Sequence, residues 1–205
     1  SPAGRFFSDP QHEYSRMLIH SLPDRTHFLS SGDGDALLEL KDVKVWFAQR
    51  RGVLQRIASY TRAVDGISLK IGRGETLALV GESGSGKSTA GKAILSMEPL
   101  AAGEIYFAGQ RIDQLTQKNF RPLRKKIQVI FQDPFSSMNP RMSVREILEE
   151  GMVSLGVEKN AAERESTLCQ LMEKVGLEAS HLDRFSHEFS GGQRQRLAIA
   201  RAIAV

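Results

Sequence analysis

A glycine-rich octapeptide, from Gly81 to Ser88, limits what this chain can fold into more than any other feature. It has the pattern Gly-x-x-x-x-Gly-Lys-Ser, follows the apolar run Glu75–Val80 and precedes a helix predicted over Lys87–Met97. In such a strand–loop–helix unit, the glycine-rich loop has no side chains to obstruct phosphate and presents its backbone N–H groups to it. The helix N-terminus adds the positive end of the helix dipole. We expect Lys87 to reach the β- and γ-phosphates and the Ser88 hydroxyl to ligate Mg²⁺. Chance would produce this pattern in roughly one chain in a hundred, so phosphate binding is favoured.

The composition is that of an ordinary globular protein. The 205 residues carry a formal net charge of +4, and 40% of them are hydrophobic. The apolar runs stop at about four residues, far short of the roughly 18 that a membrane-spanning helix needs. Cys169 is the only cysteine, which excludes an internal disulfide and fits a reducing compartment. The short apolar runs therefore predict no membrane-spanning segment.

Apolar periodicity divides the chain into two kinds of structure. The breaker-rich stretch Ser30–Asp35 precedes the first predicted strand and indicates a linker with a domain boundary near residue 35. A helix is predicted over Gln117–Lys125. Strands are predicted at Leu37–Phe47, Ala63–Ile71, Glu75–Val80, Glu104–Phe107 and Ile127–Phe131. Strands separated by helices favour an α/β domain with a largely parallel core.

Residues 141–189 show helix signals without strand signals. Ser143 and Glu146 form a capping-box pattern. An amphipathic stripe follows at helical spacing, formed by Leu168, Leu171, Met172 and Val175. These patterns predict a helical subdomain, over about 141–190, inserted into the α/β domain. Cys169 lies beside the stripe and is expected to serve packing.

A basic stretch runs from Lys41 to Arg62. Six Lys or Arg residues against Asp42 alone give it a local charge of +5. An arginine-rich, solvated hairpin loop is the favoured interpretation. Contact with anionic lipid headgroups or with nucleic acid remains the alternative.

A second motif, Ser190-Gly-Gly-Gln193, precedes an apolar helical run. It offers a hydroxyl, two unobstructed amides and a helix N-terminus to an anion. Ser190 alone would also serve as a plain N-cap. The occurrence of both motifs in this order by accident is improbable.

The combination resembles an ABC-type ATPase. Gly81–Ser88 looks like the Walker A loop, Gln132 in Phe131–Pro134 like the Q-loop glutamine, and Ser190–Gln193 like the signature motif. The resemblance implies a P-loop NTPase fold with an antiparallel β subdomain and an inserted helical subdomain. In that family two ATPase domains bind head to tail, and each ATP lies between one partner's P-loop and the other's signature.

Within this family the chain is most similar to bacterial oligopeptide and dipeptide importer ATPases. Phe131–Arg141 looks like their extended Q-loop, and the basic insertion Gln49–Arg62 is also like theirs. The resemblance implies an ATP-hydrolysing subunit at the cytoplasmic face of the inner membrane. The implied partners are a second ATPase domain, either in the same tandem chain or in a separate one, integral membrane permease subunits and, indirectly, a solute-binding protein, with no nucleic acid expected.

The resemblance also assigns residue roles, with ATP and Mg²⁺ as cofactors. Lys87 and Gln132 are the candidate catalytic residues, and Ser88 and Gln132 the candidate metal ligands. Adenine is expected to stack on Phe47, with Trp46 as the alternative, and either ring would otherwise pack the hairpin. The remaining candidate nucleotide-binding residues are Gly81, Glu82, Ser83, Gly84, Ser85, Gly86, Lys87, Ser88, Thr89, Ser190, Gly191, Gly192 and Gln193.

Both ends of the chain carry further expectations. Phe6–Ile19 resembles the C-terminal tail of an ATPase domain from the same importer group. Residues 1–35 are therefore expected to be the tail of a preceding ATPase domain plus a linker. The alternative is an amphipathic leader helix. The ATPase domain then covers 36–205. Family members continue to a Walker B strand ending in Asp-Glu, which would lie beyond Val205, and a chain truncated before it is not expected to turn over ATP alone.

Two other functions compete with importer ATPase. One is a soluble ABC ATPase acting on nucleic acid or ribosomes, which the basic 41–62 stretch would favour. The other is a nucleotide-binding module without turnover.

Overall fold

The computed structural model describes residues 12–20, 36–51, 56–133, 138–157 and 160–205. The strands are β1 (Leu38–Arg51), β2 (Arg56–Ile71), β3 (Ala102–Phe107) and β4 (Gln110–Arg111). The α-helices are α1 (Glu13–His20), α2 (Lys87–Ile94), α3 (Gln117–Phe120), α4 (Val144–Leu155), α5 (Ala161–Lys174) and α6 (Gly191–Ile203). Turns of 3₁₀-helix cover Arg121–Lys125, Ala179–Asp183 and Ser186–Glu188.

The strands form one antiparallel sheet in the order β2-β1-β3-β4. The predicted strands at 37–47, 63–71 and 104–107 are confirmed. Pairing of β1 with β2 continues from Leu38 opposite Ile71 to Arg51 opposite Arg56. The segment predicted as a basic loop is therefore mostly a paired β-ribbon, because cross-strand pairing extends beyond the alternating apolar pattern that the prediction used.

One hydrophobic core lies between the sheet and α2. Leu40, Val45 and Ile105 project from one face of the sheet and are at least 98% buried. They share a cluster with Ala93 of α2 and with Phe120. The helix after the glycine-rich loop is thus held directly against the sheet.

A second core belongs to the helices. Leu148, Leu168, Met172 and Leu197 come from α4, α5 and α6 and are almost fully buried together. The predicted amphipathic stripe is confirmed, and Cys169 packs against this cluster as expected. The helical subdomain therefore has a core of its own.

The predicted capping box is confirmed at the start of α4. The Ser143 N–H donates to the Glu146 carboxylate at 2.7 Å, and the Glu146 N–H donates to the Ser143 hydroxyl at 3.3 Å. Two side chains from the preceding 3₁₀ turn join the cores: Arg121 donates to the Ser154 carbonyl, and Lys125 donates to the Gly156 carbonyl at 3.3 Å.

Three sequence predictions need correction. Glu75–Val80 is not a buried strand: its residues are exposed, and the Val80 side chain is 94% exposed. Ile127–Phe131 is not assigned to a strand either. A strand requires a hydrogen-bonded neighbour, and neither segment pairs with another in the described part of the chain. The expected parallel core is accordingly absent from the described residues, whose sheet is antiparallel throughout.

The helix predicted over 117–125 is a short α-helix followed by a 3₁₀ turn. Pro122 stands at the start of that turn and has no N–H to continue the α-helical ladder. No helix in the described ranges is both long and apolar enough to cross a bilayer. The predicted linker 30–35, most of the predicted N-terminal tail and residues 134–137 of the extended Q-loop lie outside the described residues.

Candidate nucleotide-binding site

The glycine-rich loop joins the exposed 75–80 segment to α2, and two of its glycines have left-handed backbone conformations. Gly84 has φ of 84° and Gly86, the N-cap of α2, has φ of 93°. A Cβ on Gly86 would overlap the carbonyl oxygen of Ala63 in β2. Glycine is therefore required at Gly86 by both its conformation and its contact, and that contact seats the loop on the ribbon.

The Lys87 side chain folds back into the loop. Its ammonium donates to the carbonyl oxygens of Gly81 at 2.8 Å and Glu82 at 2.6 Å, and to the Ser85 hydroxyl at 3.1 Å. These bonds use all three donors of the ammonium group. The positive charge thus lies within the loop, beside the α2 N-terminus, whose first N–H groups have no partner inside the helix. This arrangement is suited to a phosphate anion.

Ser88 and Gln132 line the same cavity, although 44 positions separate them in the sequence. The cavity has a volume of about 400 Å³ and is also bordered by Lys92 and Phe131. Hydroxyl and amide oxygens are ligands that Mg²⁺ accepts together with phosphate oxygens. The two predicted metal ligands therefore border one cavity, which adjoins the first turn of α2.

The two candidate aromatic residues differ in how far they are engaged. Trp46 donates from Nε1 to Asp65 at 3.1 Å, and the Arg62 guanidinium lies 4.7 Å from its ring centroid. Phe47 is 41% exposed, and within the described ranges no ring or cation contact to it is found. It lies opposite Thr61, two residues from the Ala63 carbonyl that Gly86 contacts. Phe47 is thus the more exposed of the two candidate aromatic residues, and its cross-strand partner lies near the loop.

The second motif forms the start of α6. The Ser190 hydroxyl accepts the Gln193 N–H at 3.3 Å, and the Gln193 side-chain oxygen accepts the Ser190 N–H at 3.0 Å. Ser190 is therefore an N-cap, as the simpler interpretation holds. A Cβ on Gly191 or Gly192 would meet nothing within 4 Å. Packing within the described part of the chain does not explain these glycines, which leave an open surface at a helix N-terminus.

Sequence reasoning did not single out the arginine that holds the turn before Ser190. Arg194 donates from Nε to the Ser186 carbonyl and from Nη2 to the His187 carbonyl, both at 3.0 Å. Phe189, buried to 96%, packs edge-to-face on His181 at 5.5 Å. The signal for Arg194 is its position one turn after the N-cap, because helical side chains point back toward the N-terminus.

The glycine-rich loop and the second motif lie on different cores. The loop is anchored to the sheet through Gly86 and through Ala90 and Ala93 of α2. The second motif is anchored to the helical core through Phe189 and Leu197. In the described part of the chain no hydrogen bond joins the two motifs. The structure brings Ser88, which follows Lys87, and Gln132 to one cavity, and Ser190–Gln193 does not line that cavity.

Comparison with known proteins supports the family assignment. Residues 64–205 match the family described as ABC transporter. The chain is 43% identical over 199 residues to the peptidoglycan transport ATP-binding protein YejF of Agrobacterium fabrum, covering 97% of this chain and 36% of that protein. It is 47% identical over 169 residues to the oligopeptide transport ATP-binding protein OppF of Streptococcus mutans, covering 82% and 53%. The chain thus spans between about a third and a half of these relatives.

A solved structure has the same fold. The dimeric post-hydrolysis state of the ATP-binding cassette MJ0796, bound to ADP and Pi, matches with a TM-score of 0.70 at 27% identity. The match covers 82% of this chain and 69% of that one. The fold class expected from the sequence, an ABC ATPase domain, is confirmed by this likeness.

Proposed function

Because this chain belongs to the ABC transporter family, we propose that it is the ATP-binding part of an ATPase subunit that powers a bacterial importer of peptides or similar small solutes. The observation that carries the proposal is the loop in which Lys87 is held beside the α2 N-terminus, with Ser88 and Gln132 on one adjoining cavity. The importer assignment rests on the names of the relatives at 43–47% identity.

The residues of the loop fit a magnesium-bound nucleotide. Gly86 leaves room that a Cβ would fill, and the backbone of Gly81–Thr89 would hold the phosphates. Lys87 would neutralise charge on the β- and γ-phosphates, while Ser88 and Gln132 would hold Mg²⁺. Bound Mg²⁺ supplies further charge stabilisation during phosphoryl transfer. Phe47 would stack on adenine, since the residue is 41% exposed and lies opposite Thr61, near the loop.

Ser190–Gln193 serves the nucleotide held by a second ATPase domain in this proposal. The two motifs stand on separate cores, and among the described residues no atom lies within 4 Å of a Cβ built on Gly191 or Gly192. A related cassette has been solved as a dimer. Head-to-tail association would bring each loop to the partner's second motif.

The remaining partners follow from the same assignment. Integral membrane permease subunits would receive the ATP-driven movement through the segment that begins at Gln132, and a solute-binding protein would deliver the solute to them. The subunit would then lie at the cytoplasmic face of the bacterial inner membrane.

Nucleotide titration of Lys87→Ala in the full-length protein tests the proposal. Loss of a charged hydrogen bond costs about 1.5–3 kcal/mol, so ATP affinity should fall roughly tenfold to more than a hundredfold. Lys118→Ala, at an exposed lysine of α3, is the matched control and should retain affinity. Thermal melting checks that the loop variant is folded. Unchanged ATP affinity in a folded Lys87→Ala protein would refute the site.

A further inference from the structure

The β1–β2 ribbon has two different faces where it extends past the glycine-rich loop. Val45 belongs to the core that also contains Ala93 of α2. Side chains alternate along a strand, so Phe47 and Gln49 lie on the same face as Val45. Trp46 lies on the opposite face. The face that continues from the core beside α2 therefore carries Phe47 first and Gln49 next.

Three polar side chains form a hydrogen-bonded cluster on that face. Gln49 donates from Nε2 to the Thr61 hydroxyl at 2.7 Å, and the Ser59 hydroxyl donates to Gln49 Oε1 at 3.1 Å. Thr61 lies directly opposite Phe47 in the strand register, and Ser59 lies directly opposite Gln49. All three polar residues are exposed. The cluster thus fixes the Gln49 amide on the surface of the ribbon, beside Phe47.

The strand register also gives the distance of this cluster from the phosphate site. The glycine-rich loop packs on the ribbon at the Ala63 carbonyl. Thr61 is two residues and Ser59 four residues further along β2, about 7 Å and about 13 Å away at about 3.3 Å per residue. Phe47 and Gln49 lie at the same two levels, because they are the cross-strand partners. A nucleotide with its phosphates in the loop and its base on Phe47 would therefore direct an edge of the base toward Gln49.

The cluster leaves half of the hydrogen-bonding capacity of the Gln49 amide unused. A side-chain amide has two N–H donors and an oxygen with two lone pairs. Among the described residues its partners are Ser59 and Thr61, which occupy one donor and one lone pair. Both hydroxyls can donate or accept, so the same remainder is left in either orientation of the amide. One N–H and one oxygen lone pair therefore stand side by side on an exposed side chain.

A donor beside an acceptor is complementary to one edge of adenine. The N7 atom of adenine accepts a hydrogen bond and its 6-amino group donates one, and a glutamine amide pairs with both at once. Guanine and hypoxanthine have an oxygen in place of the 6-amino group, which would set an acceptor against the oxygen of Gln49. Stacking on Phe47 does not separate these bases, because every base has a π-face. Selection among them therefore needs a contact to the base edge.

We propose that Gln49, oriented by Ser59 and Thr61, binds N7 and the 6-amino group of adenine and makes the site selective for adenine nucleotides. The inference rests on the proposed function, since it takes the phosphates to lie in the loop and the base to stack on Phe47. Gln49 is the residue that touches the nucleotide, and Ser59 and Thr61 are positioning residues. A cluster that only joined the two strands would affect stability and leave base selectivity unchanged.

Equilibrium titration of the full-length protein with ATP, ITP and 7-deaza-ATP tests the inference without relying on hydrolysis. ITP carries an oxygen in place of the 6-amino group, and 7-deaza-ATP carries a C–H in place of N7. We expect ITP to bind roughly fivefold or more weakly than ATP, and 7-deaza-ATP roughly threefold to tenfold more weakly. Gln49→Met should bind all three nucleotides with nearly equal affinity. Gln170→Met, at an exposed glutamine of α5, is the matched control and should keep the preference for ATP.

Two further variants separate contact with the base from positioning of the amide. Gln49→Glu keeps an acceptor for each hydroxyl but has no N–H to give to N7, so it should bind 7-deaza-ATP at least as tightly as ATP. Thr61→Val removes a hydroxyl that orients the amide and should reduce the ratio of ATP affinity to ITP affinity. Thr61→Ser, which retains the hydroxyl, should restore that ratio.

The outcomes separate the inference from the function on which it rests. Absence of ATP binding in the unmodified protein would refute the proposed function. ATP binding with equal affinity for ITP or for 7-deaza-ATP would refute the contact to the base edge and leave the proposed function standing. An unchanged ratio of ATP affinity to ITP affinity in Gln49→Met would do the same. Thermal melting verifies that each variant is folded, and Gln49→Ala replaces Gln49→Met if the latter does not fold.

Discussion

Substitution of Gly86 by alanine has a cost that follows from two features of the structure. At φ of 93°, an L-residue costs about 1–2 kcal/mol. The new methyl group would also overlap the Ala63 carbonyl oxygen and lie 3.5 Å from the Val64 side chain, and overpacking of this kind costs about 1–3 kcal/mol. Together the two effects should reduce the free energy of unfolding by about 2–5 kcal/mol.

Gly84→Ala is the matched control for the overlap. Gly84 also has a left-handed conformation, with φ of 84°, but a Cβ there would meet no atom of the described residues within 4 Å. Gly84→Ala should reduce the free energy of unfolding by only about 1–2 kcal/mol. The conformational entropy that alanine removes from the unfolded chain is the same for both variants, so it cancels in the comparison. Urea unfolding of the full-length protein measures both values, and ATP titration should show the larger loss for Gly86→Ala. Equal costs within about 0.5 kcal/mol would refute the contact between loop and ribbon.

Two further predictions concern the sheet. Phe47→Ala should weaken ATP binding by about 1–3 kcal/mol through lost base stacking. Trp46→Ala should mainly lower the melting temperature, because it removes the contacts to Asp65 and Arg62. ATP titration and thermal melting of both variants measure this, and a larger loss of ATP affinity in Trp46→Ala than in Phe47→Ala would assign the adenine to Trp46. A hydrogen bond from Lys70 lowers the pKa of Glu39, so its stabilisation is present at neutral pH and lost as pH falls through that lowered pKa. The melting temperature of Glu39→Gln should therefore approach that of the unmodified protein from about pH 7 to about pH 3, and a constant difference would contradict the assignment.

Local features were predictable because their signals are local. The capping box at Ser143, the N-cap at Ser190 and the loop at Gly81–Ser88 depend on residues only a few positions apart. The amphipathic stripe of α5 likewise follows from helical spacing. The sequence could therefore place each of these elements.

Pairing between distant segments was not predictable in the same way. The apolar run Glu75–Val80 has strand composition, but its burial depends on a neighbour that its own sequence does not specify. The ribbon beyond Phe47 lacks the apolar alternation of its base, yet it pairs up to Arg51. The juxtaposition of Ser88 with Gln132 was expected only from the family resemblance, since spacing along the chain does not bring them to one cavity.

The central claim, that the nucleotide lies between the loop of one copy and the second motif of another, is tested most directly by mixing two inactive variants of the full-length protein. Lys87→Ala removes the loop's charge, and Ser190→Arg obstructs the second motif. In a mixed head-to-tail pair, one of the two sites combines an intact Lys87 with an intact Ser190 from the other copy. We therefore predict that ATP hydrolysis, absent in either variant alone, returns on mixing. A mixture as inactive as its components, with both variants folded and associating, would contradict the shared site.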